Sequence, residues 1–178
     1  WEDHREGVPA IIAGTLRPAL ASWAGKSTAR RQRVESNFGG HRPWDPVRVL
    51  ERYELLYEAR LVPEYQRDHG LRPRPSPGSG TELAHDHRRI VATALGRLRG
   101  KLKYRPVVFG LLSEAFTLFQ LQYTVEALTG RRLHKQNFRR LVEHGRLVKA
   151  TGTLERPPRG RPAALFRFRR EVVRARLY

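Results

Sequence analysis

Residues 117–145 read TLFQLQYTVEALTGRRLHKQNFRRLVEHG, and the fold turns on how this stretch divides. Thr117 followed three residues later by Gln120 forms a capping box, in which the Thr117 hydroxyl accepts from the third helical amide and Gln120 reaches back to the cap. Leu118, Leu121, Val125 and Leu128 then recur at helical spacing along one face. Gly130 supplies the left-handed residue that closes a helix. A second periodic segment starts near His134, with Phe138, Leu141 and Val142 expected to face inward and Gly145 as its stop. Two short helices joined by a tight turn make a helix-turn-helix. With those three apolar residues buried, Lys135, Gln136, Arg139, Arg140 and Glu143 fall on the outer face or its flanks.

Downstream, Leu147 to Thr151 and Ala164 to Arg169 read as two short strands, the second with Arg on alternate positions. The intervening Gly152 to Pro162 carries Arg156, Arg159 and Arg161 among Pro157, Pro158, Gly160 and Pro162, so the sequence predicts a stiffened loop with projecting cations. A two-stranded ribbon with a basic tip behind a basic helix has the form of a wing. The chemistry suits duplex DNA. Arginine donates in pairs to guanine O6 and N7, and glutamine or asparagine to adenine N6 and N7. Gln136, Arg139 and Arg140 are accordingly expected to read base edges, and Lys135 and Asn137 to hold phosphates. Arg156, Arg159 and Arg161 are expected on the backbone or in the minor groove. The alternative for the helices alone is an ordinary hairpin with a polar outer face.

Charge supports a polyanionic partner. The chain has 35 Lys and Arg against 17 Asp and Glu, a formal net charge of +18, and the excess is segregated. Residues 1–84 hold 13 basic and 11 acidic side chains, and residues 85–178 hold 22 and 6. Each cation that neutralises a phosphate releases a condensed counterion, which favours binding at low salt. A solvated, arginine-rich surface is the alternative.

The upstream half is predicted to be helical. Val8, Ile11, Ile12, Leu16, Leu20 and Trp23 mark a helix over residues 8–24, bent or restarted at Pro18. Residues 26–43 read as a loop with room for one helical turn. Asp45-Pro46 reads as an N-cap with proline in the first helical position, followed by Val47, Leu50, Tyr53, Tyr57 and Leu61 on one face. Residues 72–80, RPRPSPGSG, lack the apolar content to fold. Ile90, Val91, Ala94, Leu95, Leu98 and Leu102 then mark a helix from about Asp86 to Lys103. The expected fold is mainly α with a small β-wing. It comprises a helical N-terminal region (1–70), a Pro/Gly/Ser linker (71–83), and a connecting helix with a winged helix-turn-helix (84–178).

Several classes are disfavoured. No apolar run is long enough to span a bilayer, and residues 1–7 lack a secretory signal pattern, so the expected location is the cytoplasm, on the nucleoid. With no cysteine, thiolate metal sites and cysteine nucleophiles are excluded. The seven histidines form no HExxH pattern, and Ser113 has no evident His and Asp partners, so neither a metal site nor catalytic residues are expected. No cofactor is expected either. Methionine is absent and the first residue is Trp1, which suggests the back end of a longer protein.

Beyond the pattern, particular residues resemble a family. Phe116-Thr117-Leu118 with Gln120-Leu121, Leu133 to Arg140, Thr151-Gly152, and Gly160 to Ala163 before Leu165 to Phe168 are similar to the C-terminal winged-helix domain of Nudix-related transcriptional regulators. Arg97 to Tyr104 resembles the helix that precedes that domain, and the likeness covers residues 86–170. It implies a homodimeric repressor of NAD or sugar metabolism genes, acting on two-fold symmetric double-stranded DNA. It also implies ADP-ribose-type effectors, provided that a Nudix-like domain lies upstream. No Gly-x5-Glu-x7-Arg-Glu-x2-Glu-Glu-x-Gly box, whose carboxylates would hold catalytic metals, occurs in the sequence. Residues 1–70 are therefore read as a Nudix-tail remnant or a dimerisation region, with Trp23, Leu50, Tyr53 and Tyr57 forming either the dimer surface or an internal core. Two other functions stay open: the accessory half of a Nudix-type pyrophosphatase, and a winged helix that docks RNA or protein.

Overall fold

The computed structural model describes residues 1–41, 43–72, 83–102, 106–156 and 161–169. The chain divides into two compact units, Trp1–Arg99 and Gly100–Tyr178. Most of the expected linker, residues 73–82, lies outside the described residues.

The first unit is helical. A π-helical turn, Ile12–Leu16, runs into α1 (Arg17–Ala24), whose first turn holds Pro18. Ile12, Leu16 and Leu20 are buried, whereas Val8 is exposed and plays no part in the core. The loop expected over residues 26–43 is corrected by the structure, which has an 11-residue helix there, α2 (Thr28–Phe38), capped by the Ser27 side chain. Only Val34 and Phe38 among its residues pack on the core. Two apolar positions four apart are too few to show a helical period in sequence.

α3 (Val49–Glu58) starts later than Asp45-Pro46 suggested. Asp45 Oδ1 accepts from the Val47 N–H at 3.1 Å, so the aspartate closes a turn ahead of the helix instead of capping it. A short α4 (Pro63–Asp68) follows. Tyr53 is core, and Trp23, Leu50 and Tyr57 pack against it, so these four residues serve the interior of the unit.

α5 (His87–Leu102) is turned differently from its apolar pattern. Ala92, Gly96 and Arg99 are buried, while Ile90 and Val91 are exposed. The reason is close approach. A Cβ on Gly96 would stand 3.0 Å from the Val47 carbonyl oxygen, so only the small-residue side of α5 can lie against that backbone.

Arg99 joins a buried ion cluster. Glu2 Oε1 accepts from Arg52 Nε at 2.7 Å, and Glu2 Oε2 from Arg99 Nη1 at 2.6 Å. Arg52 Nη2 donates to the Asp45 carbonyl (2.9 Å), Arg99 Nη1 donates also to the Pro46 carbonyl (3.1 Å), and Arg52 lies 3.9 Å over the Trp44 ring. Arg52 is 1% exposed. Charges so placed are tolerable only when fully paired.

The second unit opens with a 3-10 turn, Val107–Leu111, and continues β1 (Phe116–Thr117), α6 (Leu118–Thr129), α7 (Lys135–His144), β2 (Val148–Glu155) and β3 (Ala163–Phe168). The sheet is antiparallel in the order β1-β3-β2. The sequence reading missed β1, because two residues carry no alternation. Phe116 nevertheless pairs with Phe166 and fixes the start of α6 against the wing. Val108, Phe116, Leu118, Leu121, Phe138 and Val142 form the core, and Phe109 stacks on Phe168 with ring centroids 4.1 Å apart.

Two outcomes are expected for the full chain. Glu2→Ala leaves two buried guanidinium groups without their carboxylate and lowers stability by about 3 kcal/mol. All three tryptophans lie in the first unit, so their fluorescence in a urea titration reads this loss directly. His4 packs against Trp44, and its burial lowers its pKa below the ordinary 6.5. The unfolded chain therefore takes up that proton first, and stability is lost as pH falls through and below 6.5. His4→Gln should flatten that slope, and an unchanged slope would show that other groups carry it.

Candidate nucleic-acid interface

The helix-turn-helix is fixed by a capping box at one end and a buried carboxylate at the other. Gln120 N donates to Thr117 Oγ1 at 3.1 Å, and Thr117 N donates to Gln120 Oε1 at 2.8 Å. Gly130, at φ 68°, ends α6 in the left-handed conformation. Sequence reasoning missed the next element. Glu126 is 5% exposed and accepts from the Leu133 N–H at 2.9 Å and from Gln122 Nε2 at 2.9 Å. Gln122 Nε2 also donates to the Leu133 carbonyl at 2.9 Å. Two polar residues four apart beside an apolar stripe, just before a glycine turn, were the available signal.

α7 is anchored by Phe138 and Val142, 8% and 3% exposed. Leu141, expected to face inward, is 69% exposed, which corrects that reading. At 3.6 residues per turn the two anchors define one narrow stripe, and Leu141 lies about a quarter-turn outside it. Gly145 follows the last turn of α7 in right-handed geometry, and Arg146 takes the left-handed φ of 49° instead.

Lys135, Gln136, Asn137, Arg139 and Arg140 are all exposed. By the same helical geometry Arg140 and Gln136 point away from the anchors. Asn137 and His144 stand beside them, and Arg139 lies on one flank. Among the described residues Lys135, Arg139 and Arg140 make no ion pair. In the first unit, by contrast, Arg33, Arg52, Arg88, Arg89 and Arg99 pair with glutamates at 2.6–3.0 Å. The cations of α7 are thus not neutralised by carboxylates among the described residues.

The wing is longer than expected. β2 runs to Glu155, past the predicted loop start at Gly152, because an irregularity between Ala150 and Leu154 absorbs Gly152 at φ 83°. Thr151 Oγ1 donates to the Leu165 carbonyl at 3.0 Å and accepts from Thr153 N at 3.2 Å, satisfying backbone groups that the ladder leaves open there. Arg156 and Arg161 are exposed at the two ends of the wing tip. Arg159 lies outside the described residues.

A capped helix, a pinned turn, a second helix with unpaired cations and a ribbon paired to the strand before the first helix together define a winged helix-turn-helix. Residues 108–168 match the family described as the NrtR DNA-binding winged helix domain, and this part of the chain is a winged helix of that type.

The chain is 34% identical over 87 residues to the ADPR responsive transcriptional repressor NtrR of Acinetobacter baylyi, covering 49% of this chain and 34% of the repressor. The chain thus spans about a third of that relative's length. Among solved structures, NrtR of Shewanella oneidensis complexed with a 27mer DNA is 38% identical, with 53% of this chain and 43% of that chain covered and a TM-score of 0.45. A second structure of Shewanella oneidensis NrtR is 36% identical, covers 53% and 42%, and has a TM-score of 0.42.

The geometry predicts which residues hold the domain together. Phe138→Ala should cost about 3–5 kcal/mol through the cavity it leaves. Glu126→Ala, which removes the acceptor of the half-buried Leu133 N–H, should cost about 1–3 kcal/mol. Circular dichroism melts of the full chain read both. An unchanged transition for Glu126→Ala would show that the turn is held by apolar contacts alone.

Proposed function

We propose that the chain is a sequence-specific, double-stranded DNA-binding transcriptional regulator of the repressor type, and that α7 and the wing are its contact surface. The observation that carries this reading is α7 itself. It buries Phe138 and Val142, turns Gln136 and Arg140 outward, and leaves its cations without ion pairs. A helix of 10–12 Å diameter fits the major groove, which is about 12 Å wide. Gln136, Arg139 and Arg140 read base edges, Lys135 and Asn137 hold phosphates, and Arg156 and Arg161 meet the backbone or the minor groove. Arg159 has the same role by its place in the sequence.

The chain acts by binding, without a reaction of its own, in the cytoplasm on the nucleoid. No helix among the described residues is long and apolar enough to cross a membrane, in keeping with that location. The likeness to an ADPR-responsive repressor supports an ADP-ribose-type effector. This effector is conditional on an upstream Nudix-like domain, which would do the sensing. Two copies act together on a two-fold symmetric operator, since one small winged helix makes too few base contacts for high specificity.

Duplex affinity should fall steeply with salt, with a log–log slope of about −0.9 per neutralised phosphate. Gln136→Ala or Arg140→Ala should cost about 1–3 kcal/mol on the preferred site and much less on scrambled duplex. Arg156→Ala or Arg161→Ala should weaken both duplexes alike and reduce the slope by about one unit. Paired fluorescence titrations of each variant check this. A chain without duplex affinity at low salt would overturn the function, and α7 variants that lose both duplexes equally would reverse the roles.

A further inference from the structure

We infer that Leu141 is a specificity residue that reads the C5-methyl group of a thymine in the major groove. The inference rests on the DNA-binding reading above and assigns to that site a contact which hydrogen bonding alone does not supply.

Leu141 is 69% exposed at the middle of a helix otherwise covered by polar and charged side chains, and the core that anchors α7 does not include it. It is four residues from Asn137, so the two share a face, and it follows Arg140 directly. Around the helix Leu141 stands as far from the buried Phe138–Val142 stripe as Arg139 does, on the opposite flank. Because the groove is barely wider than a helix with its side chains, both flanks lose their water when α7 docks. For Arg139 that environment offers acceptors. For Leu141 the apolar partner that the major groove presents on base edges is the thymine methyl, which no other base carries. Burying a leucine against it is favourable, and placing a cytosine N4 donor there leaves that donor facing hydrocarbon. The side chain therefore discriminates between bases without donating or accepting a hydrogen bond.

The test uses the full chain. Selection from a random duplex library defines its preferred site, and each thymine in that site is then replaced singly by deoxyuridine, which removes the methyl and leaves base pairing unchanged. At one thymine the replacement should weaken wild-type binding about fourfold, the equivalent of about 0.8 kcal/mol for one buried methyl. Leu141→Ala and Leu141→Gln should bind the thymine and deoxyuridine duplexes equally. Both should melt close to wild type, because the side chain lies outside the core. Selection with either variant should lose the preference for thymine at that position only. Three outcomes overturn the proposal: a wild-type chain indifferent to every deoxyuridine replacement, variants that keep the wild-type response to the methyl, or variants whose melting falls as a core substitution would make it. These leave the DNA-binding reading standing. Failure to enrich any duplex removes that reading and this proposal with it.

Discussion

The arrangement of α6 and α7 depends on the carboxylate of Glu126. Apolar contacts between α6 and α7 are non-directional and would allow the second helix to rotate or slide over the first. Glu126 removes that freedom by holding the Leu133 N–H at 2.9 Å, and Gln122 holds the Leu133 carbonyl at the same distance. Both backbone groups of one turn residue are thus tied to the helix they leave. Leaving a buried carboxylate unpaired is costly, so the polar pins and the turn conformation require each other. With the turn set, Phe138 and Val142 can enter the core in only one rotation of α7, and that rotation turns Gln136 and Arg140 outward.

A contrast between spent and unspent charge separates the first unit from α7. In the first, a glutamate stands against Arg33, Arg52, Arg88, Arg89 and Arg99, and the charges serve packing. Arg52 and Arg99 share one carboxylate in the interior, a geometry that satisfies directional donors and fixes where Trp1–Gly7 lies against α3 and α5. On α7 the cations face water without carboxylate partners. Net charge alone therefore misleads, because an arginine matters to an outside anion only where the fold has left it unpaired.

Much of this was legible in the sequence. The capping box at Thr117, the glycine end of α6, the start of α7 and the paired strands follow from residue types with short-range physics, and the structure has them. The misses have a common cause: they depend on what lies opposite. Ile90 and Val91 are exposed because Gly96 must face the Val47 carbonyl, and only tertiary structure says so. α2 is held by Ser27 and two apolar residues, beneath the threshold of any periodic pattern. β1 is two residues long and exists only as a partner of β3. Leu141 follows Phe138 at helical spacing and so reads as core, yet the stripe available to α7 is filled by Phe138 and Val142.

On the proposed DNA-binding reading, affinity and specificity come from different parts of the surface. The basic half, with 22 cations against 6 carboxylates, attracts any duplex through counterion release, and that attraction carries no sequence information. Discrimination would rest on the few side chains of α7 proposed to reach base edges, each contributing about 1–3 kcal/mol. A genome offers roughly a million to a billion competing sites. Three or four such contacts from one copy, set against that background and against strong non-specific attraction, leave a narrow margin. Two copies on a two-fold symmetric site double the discriminating terms while the second copy pays less entropy to associate. The basic composition that suits the chain to a polyanionic duplex is thus also the physical reason for the proposed operator symmetry.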